Sequence, residues 1–260
     1  MERTGILCAS DLTNAATTAL RFAFQIGSRL NERIGILHVI DKDGSEEEAT
    51  ILLKQQLVEA GGGEAQILIA EGDALAQIAE ESRREHRLLV LGTHGLSNLR
   101  QKWFGADILK LVRKVSVPSF VVQEGTVVSD RLGPIVMPVA AHEDIDRLIG
   151  TVIVLAKAFL TEVHVYQIMR PGEQPSDELL ANKVKMLDRL REAGANVKEV
   201  NEPGNSPSIS FAGPTLEYAE RIGAGCVAIM AHASKEYRYM ADAEKERMLT
   251  NEARIPILCA

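Results

Sequence analysis

His94 precedes Pro118 by the same interval that separates His232 from Pro256, and the same order of elements is written around each pair. An offset of 138 residues carries Leu91 onto Ile229 and Val122 onto Ala260. In the first half, apolar runs at Ile6–Ala9, Ile34–Ile40, Ala65–Ala70, Arg87–Gly92 and Pro118–Val122 read as strands. Amphipathic segments over Asn14–Leu30, Glu46–Ala60, Asp73–His86 and Gly105–Val115 alternate with them as helices. Glu124–Gly133 is polar and reads as a linker, after which the pattern restarts. The second half places strands at Ile135–Val139, Val163–Ile168, Val197–Val200, Cys226–Met230 and Ile257–Cys259. Its helices are expected over Asp144–Phe159, Ser176–Ala193, Pro214–Ile222 and Ala241–Asn251. Five strands in one order, twice, predict an internal duplication. Alternation of strand and helix predicts an α/β fold: parallel sheets with helices on both faces, joined by right-handed crossovers. Two tandem doubly wound five-stranded domains are expected, over residues 1–125 and 133–260.

Composition narrows the function. The net charge of −7 repels nucleic acid and anionic membranes, so neither is expected as a partner. No apolar run approaches the roughly 20 residues of a membrane span, and the N-terminus carries no signal-peptide pattern. Cys8, Cys226 and Cys259 form no CxxC pair, which suits a reducing cytoplasm. Cys8 and Cys259 sit inside apolar strands and are expected as small core residues. Aromatic residues make up only 4% of the chain, so the core must be aliphatic.

The chemistry-bearing stretch is Leu89-Val90-Leu91-Gly92-Thr93-His94-Gly95, followed ten residues later by Gly105 at the start of a helical pattern. A buried strand, a glycine pair, a basic loop with Arg100 and Lys102, and a glycine opening a helix can together form a phosphate-sized hole lined by backbone N–H groups. Gly92 and Gly95 are expected to allow close backbone approach and positive φ. In a doubly wound sheet the ligand lies beyond the carboxyl ends of the strands where their order reverses. With the first and fourth strands as central neighbours, Asp11 and Gly92–Gly95 meet there. His94 is within reach of a phosphate, and is otherwise expected to bond a neighbouring loop carbonyl. Trp103 is expected to anchor the loop by packing.

The spacing Gly92-x2-Gly95-x9-Gly105 resembles the nucleotide-binding signature of the universal stress protein family. Ala9-Ser10-Asp11 looks like the family's first-strand aspartate, Leu37-His38-Val39-Ile40-Asp41 is similar to its second-strand ending, and Val117-Pro118 fits its last strand. The resemblance implies an adenine-nucleotide alpha-hydrolase-like fold with strand order 3-2-1-4-5. It also implies an ATP site in the first half, in some members with a divalent cation such as Mg²⁺. Asp11 and Val39 would then hold the adenosine end. The backbones of Gly92, Gly95 and Gly105, with the helix start at Ala106 and the side chain of His94, would meet the phosphates. Two positions depart from the family pattern. Ala106 stands where a Ser or Thr hydroxyl is usual, a loss of about 0.5–1.5 kcal/mol, which Ser97 or Asn98 could offset. Asp107 puts a carboxylate in the first helical turn, where it competes with an anion.

The second half lacks the signature. The offset puts Met230, Ala233, Ala243 and Glu244 in place of Gly92, Gly95, Gly105 and Ala106, and Val139-Ala140-Ala141 in place of the first-strand aspartate. Glu244 is expected to place negative charge at its helix start. This half is read as the partner that completes an intramolecular pseudo-dimer, with further homodimerisation left open. The long loop Asn201–Pro207 and Lys235, Tyr237, Arg238 and Tyr239 are its remaining candidates for a ligand. No GxSxG, Walker or metal-ligand spacing occurs, so no catalytic or metal residue is assigned. The expected function is an ATP-binding stress-response regulator using the first domain. A scaffold of the same fold acting through protein partners is the alternative, and a slow ATP hydrolase the third reading.

Overall fold

A computed structural model describes residues 5–94, 108–169, 171–172, 174–204, 210–233 and 238–260, the last without the side chains of 238–241. The chain divides into two units, Met1–Asp130 and Arg131–Ala260.

In the first unit the strands are β1 (Ile6–Ala9), β2 (Ile34–Ile40), β3 (Ala65–Glu71), β4 (Leu88–Thr93) and β5 (Ser119–Gln123). They pair in parallel in the order β3-β2-β1-β4-β5. The helices are α1 (Asn14–Leu30), α2 (Glu46–Glu59), α3 (Ala74–Glu81) and α4 (Ile108–Lys114). β1 and β4 are buried along their whole length, as continuous apolar runs in a sheet covered on both faces should be. The core is aliphatic as expected, with Phe22 packed against Phe120.

Local chemistry sets the helix ends. Thr13, Ser45 and Asp73 cap α1, α2 and α3 by accepting a bond from the backbone N–H three residues on. Glu46, Glu47 and Glu48 fill the first turn of α2, and Gly61 and Gly62, both at positive φ, end it. α3 stops at Glu81, short of the expected His86, because Ser82 turns its hydroxyl onto the carbonyl of Ala79 and accepts the N–H of Ser116.

The second unit repeats the plan. Its strands are β6 (Ile135–Pro138), β7 (Val163–Met169), β8 (Val197–Pro203), β9 (Cys226–Ile229) and β10 (Ile257–Cys259). They are parallel, in the order β8-β7-β6-β9-β10. The helices are α5 (Asp146–Phe159), α6 (Asp177–Glu192), α7 (Ala212–Arg221) and α8 (Arg238–Leu249). Strand order 3-2-1-4-5 therefore holds in both units, and α8 starts ahead of the expected Ala241. The registers fix residue equivalence. Ser10 N–H donates to Leu37 as Val139 N–H donates to Tyr166, which aligns Asp11 with Ala140 and Val39 with Ile168. Ile6 pairs with Leu88 as Ile135 pairs with Cys226, which aligns Gly92 with Met230. The loop before the first helix is longer in the second unit, residues 139–145 against 10–13.

All three cysteines are buried, and burial pushes each thiol up to about 12. Among the described residues no helix is long and apolar enough to cross a membrane.

Candidate functional site

The ends of β1, β2 and β4 converge in the first unit. β1 stops pairing at Ala9, opposite Leu37 on one side and Leu91 on the other. Beyond it, Val39 and Ile40 of β2 and Gly92 and Thr93 of β4 run on past the end of the central strand. The strand order reverses at this point, so a crevice is a consequence of the topology.

The loop that floors the crevice is fixed by a buried polar network. Ser10 hydroxyl donates to Gln56 Oε1 at 2.6 Å, and Gln56 Nε2 donates to the Thr13 carbonyl and the Thr17 hydroxyl, both at 3.1 Å. His38 Nδ1 donates to the Ser10 carbonyl at 2.7 Å. Leu12 sits at φ 64°, the left-handed region, where a branched side chain is strained by about 1–3 kcal/mol. Its N–H is held by Ser10 Oγ at 3.0 Å. Asp11 Oδ1 accepts from the Thr13 hydroxyl at 2.5 Å and the Thr13 N–H at 3.2 Å, so the carboxylate also shapes the entry to α1.

Of the residues expected at the site, the fold brings Asp11, Val39, Gly92 and His94 to this one end of the sheet. Val39 is 1% exposed, so its side chain is core and only its backbone can face a ligand. Gly92 is not at positive φ. It lies inside β4, where a Cβ would stand 2.2 Å from the Ala15 carbonyl oxygen, so the close approach it permits is that of α1. His94 Nδ1 meets the Glu124 carboxylate at 2.8 Å. Gly95, Gly105 and Ala106 lie outside the described residues, as do Ser97, Asn98, Arg100, Lys102, Trp103 and Asp107. In the second unit Asn205, Ser206, Pro207, Lys235 and Tyr237 are outside them too.

Gln56, Glu124 and Gln123 escaped the sequence reading. Gln56 follows Ala49 and Leu53 on the buried stripe of α2, and a polar residue at that spacing is its only sequence signal. Glu124 follows β5 directly. Thr93 and Gln123 face one another across β4 and β5. Thr93 Oγ1 and Gln123 Nε2 are buried and have no hydrogen-bond partner among the described residues. Orphaned buried polar atoms are rare and costly in a folded protein, so two together at a strand end point to a polar group that is brought in.

The second unit is built differently at the equivalent place. Ala140 and Met230 replace Asp11 and Gly92, and Ala231 follows where the first unit has Thr93. Glu244 does not charge its own helix start. Its Oε2 accepts from Ser210 Oγ at 2.7 Å and from the N–H groups of Phe211 and Ala212 at 2.8 Å, and so caps α7. Among the described residues no group of His, Cys, Asp and Glu is placed to hold a metal ion.

Residues 3–123 match the model of the universal stress protein family. No curated protein matches the chain. Among solved structures, a universal stress protein from Archaeoglobus fulgidus is 17% identical at TM-score 0.71, covering 98% of this chain and 97% of its own. A universal stress protein from Pseudomonas aeruginosa is 18% identical at TM-score 0.61, covering 98% and 91%. The cytoplasmic domain of a prokaryotic cation chloride cotransporter shares the fold at 11% identity and TM-score 0.54, covering 99% and 95%. The family match over residues 3–123 makes the first unit a universal stress protein domain, and the second unit repeats its strand order.

Proposed function

We propose that this protein is an ATP-binding regulator of a stress response that uses its first unit to hold the nucleotide, with or without Mg²⁺, and acts in the cytoplasm through protein partners. The observation that carries this reading is the pair of orphaned atoms, Thr93 Oγ1 and Gln123 Nε2, at the carboxyl ends of β4 and β5, beside the reversal of strand order between β1 and β4. A hydroxyl and an amide N–H there suit the oxygens of a phosphate or ribose. Asp11, on its fixed loop, stands at the adenosine side with the backbone of Val39. The backbones of Gly92, Gly95 and Gly105, the helix start at Ala106 and the His94 side chain are assigned to the phosphates. The second unit has lost Asp11, Gly92 and Thr93 together, which supports use of the first unit alone.

One observation favours the scaffold reading. Glu124 brings a carboxylate to the same strand ends and already occupies His94. A second anion there is disfavoured unless the backbone N–H groups outweigh it.

Calorimetric titration of the intact chain with ATP and Mg²⁺ separates the two. The nucleotide reading expects saturable heat, and Thr93→Val then weakens binding by about 3- to 10-fold, the worth of one lost hydrogen bond. Absence of heat at millimolar ATP establishes the scaffold instead.

A further inference from the structure

The second unit has a cavity of about 200 Å³ at the carboxyl ends of β6, β7 and β9. Its walls include Ala140, Ile168 and Met230, the register equivalents of Asp11, Val39 and Gly92. Three positions assigned to adenosine and phosphate in the first unit are thus apolar side chains here. Asn182 donates to the carbonyls of Ala140 and His142, both at 2.9 Å, and fixes the longer loop.

Size limits the occupant. A cavity of roughly 150 Å³ lined by aliphatic and aromatic side chains holds benzene, and sites for drug-sized ligands begin near roughly 300 Å³. A hole of about 200 Å³ therefore suits one ring with a short substituent and excludes a nucleoside triphosphate. Met186 and Phe211 join Ile168 and Met230 on its apolar walls.

Charge limits the occupant further. Among the described residues no carboxylate lines the cavity, so nothing in the lining balances a cation. Lys245 is 3% exposed, and its Nζ is engaged by the carbonyl of Met230, at 2.7 Å, and that of His232. An incoming carboxylate would have to displace these bonds, and a charge buried without its partners is costly. The other polar side chains of the lining are neutral. His142 is held down to about 4 by burial and by the charges of Lys245 and His232. At neutral pH its ring is therefore an uncharged imidazole, with one donor and one acceptor. Gln167 Oε1 accepts from Lys183 Nζ at 2.8 Å, while its Nε2 makes no bond among the described residues and is a second neutral donor. A hydroxyl, which donates and accepts at one atom, matches such a lining.

We propose that this cavity binds an uncharged single-ring alcohol, its ring against Ile168, Met186, Phe211 and Met230 and its hydroxyl bonded to His142. The proposal is independent of nucleotide binding in the first unit.

Methionine methyl NMR on the intact chain tests it, with benzyl alcohol as the probe and benzoate and benzylammonium as charged counterparts of similar size. Benzyl alcohol should shift the methyls of Met186 and Met230 saturably. It should bind about tenfold more tightly than either ion, because each ion must bury a charge. His142→Leu, which keeps the wall and removes the bond, should weaken the alcohol by about 3- to 10-fold. Ala140→Phe, which fills the hole, should abolish binding. The comparison of alcohol with ions needs no variant and so stands where a variant fails to fold. No saturable shift at these methyls, an ion binding as tightly as the alcohol, unchanged affinity in a folded His142→Leu chain, or displacement of the alcohol by ATP with Mg²⁺ overturns the proposal.

Discussion

At Gly92 the Ala15 carbonyl oxygen stands 2.2 Å from where a Cβ would sit, and the Ala15 carbonyl carbon 2.3 Å. Backbone cannot yield as a side-chain end can, so Gly92→Ala must push α1 off β4 and should destabilise the chain by about 3 kcal/mol. Urea unfolding checks this, and a loss below 0.5 kcal/mol, roughly the scatter of a neutral surface change, contradicts it. Thr93, one residue on, should behave in the opposite way. Thr93→Val keeps the shape and removes a buried, unpartnered hydroxyl. Without nucleotide, the variant should be more stable by about 1 kcal/mol. With ATP present its stabilisation by ligand should be smaller than that of the parent, because its affinity is lower. If the hydroxyl merely sat in the core, its removal would raise stability and leave affinity untouched, so the two thermal shifts together identify its role.

The elements were legible because each carries its own signal. β1 and the stretch of β4 up to Leu91 are unbroken apolar runs, and α1, α2, α3 and α6 are capped by Thr13, Ser45, Asp73 and Ser176, all capping residue types. Ends without such a signal moved. α3 stops at Glu81 because Ser82 finds a partner in Ser116, which no local pattern announces. α5 begins at Asp146 rather than Asp144, with Ile145 at its N-cap position and no side-chain cap. α7 begins at Ala212, with Phe211 at its N-cap position and the cap supplied from α8 by Glu244. That borrowed cap makes a prediction about two elements at once. Glu244→Ala removes the acceptor of three bonds and should cost about 1–3 kcal/mol in denaturant unfolding. Glu244→Gln, which keeps an acceptor oxygen, should recover part of it. The site was half legible for the same reason. Asp11, Gly92 and His94 could be placed at one end of the sheet because topology gathers strand ends, and Val39 through the family resemblance. Gln56, Glu124 and Gln123 could not be, because their place depends on which side chains face each other after folding.

On the scale of the whole chain, one strand order is used twice. The first unit keeps an aspartate, a glycine and orphaned polar atoms at the reversal of strand order. The second has a cavity of about 200 Å³ at the carboxyl ends of β6, β7 and β9, with Ala140, Ile168, Met230 and the buried Lys245 in its lining. Duplication preserved the apolar strands, which specify the fold, and freed the loops, where function resides. The central claim is that adenine nucleotide is held by one unit only. Native mass spectrometry of the intact chain with ATP and Mg²⁺ reads this directly as the number of nucleotides per chain. The account predicts a single ATP per chain, with its retention reduced by Thr93→Val and unchanged by Ala140→Phe. Two nucleotides per chain, none at all, or a single one displaced by Ala140→Phe would contradict it.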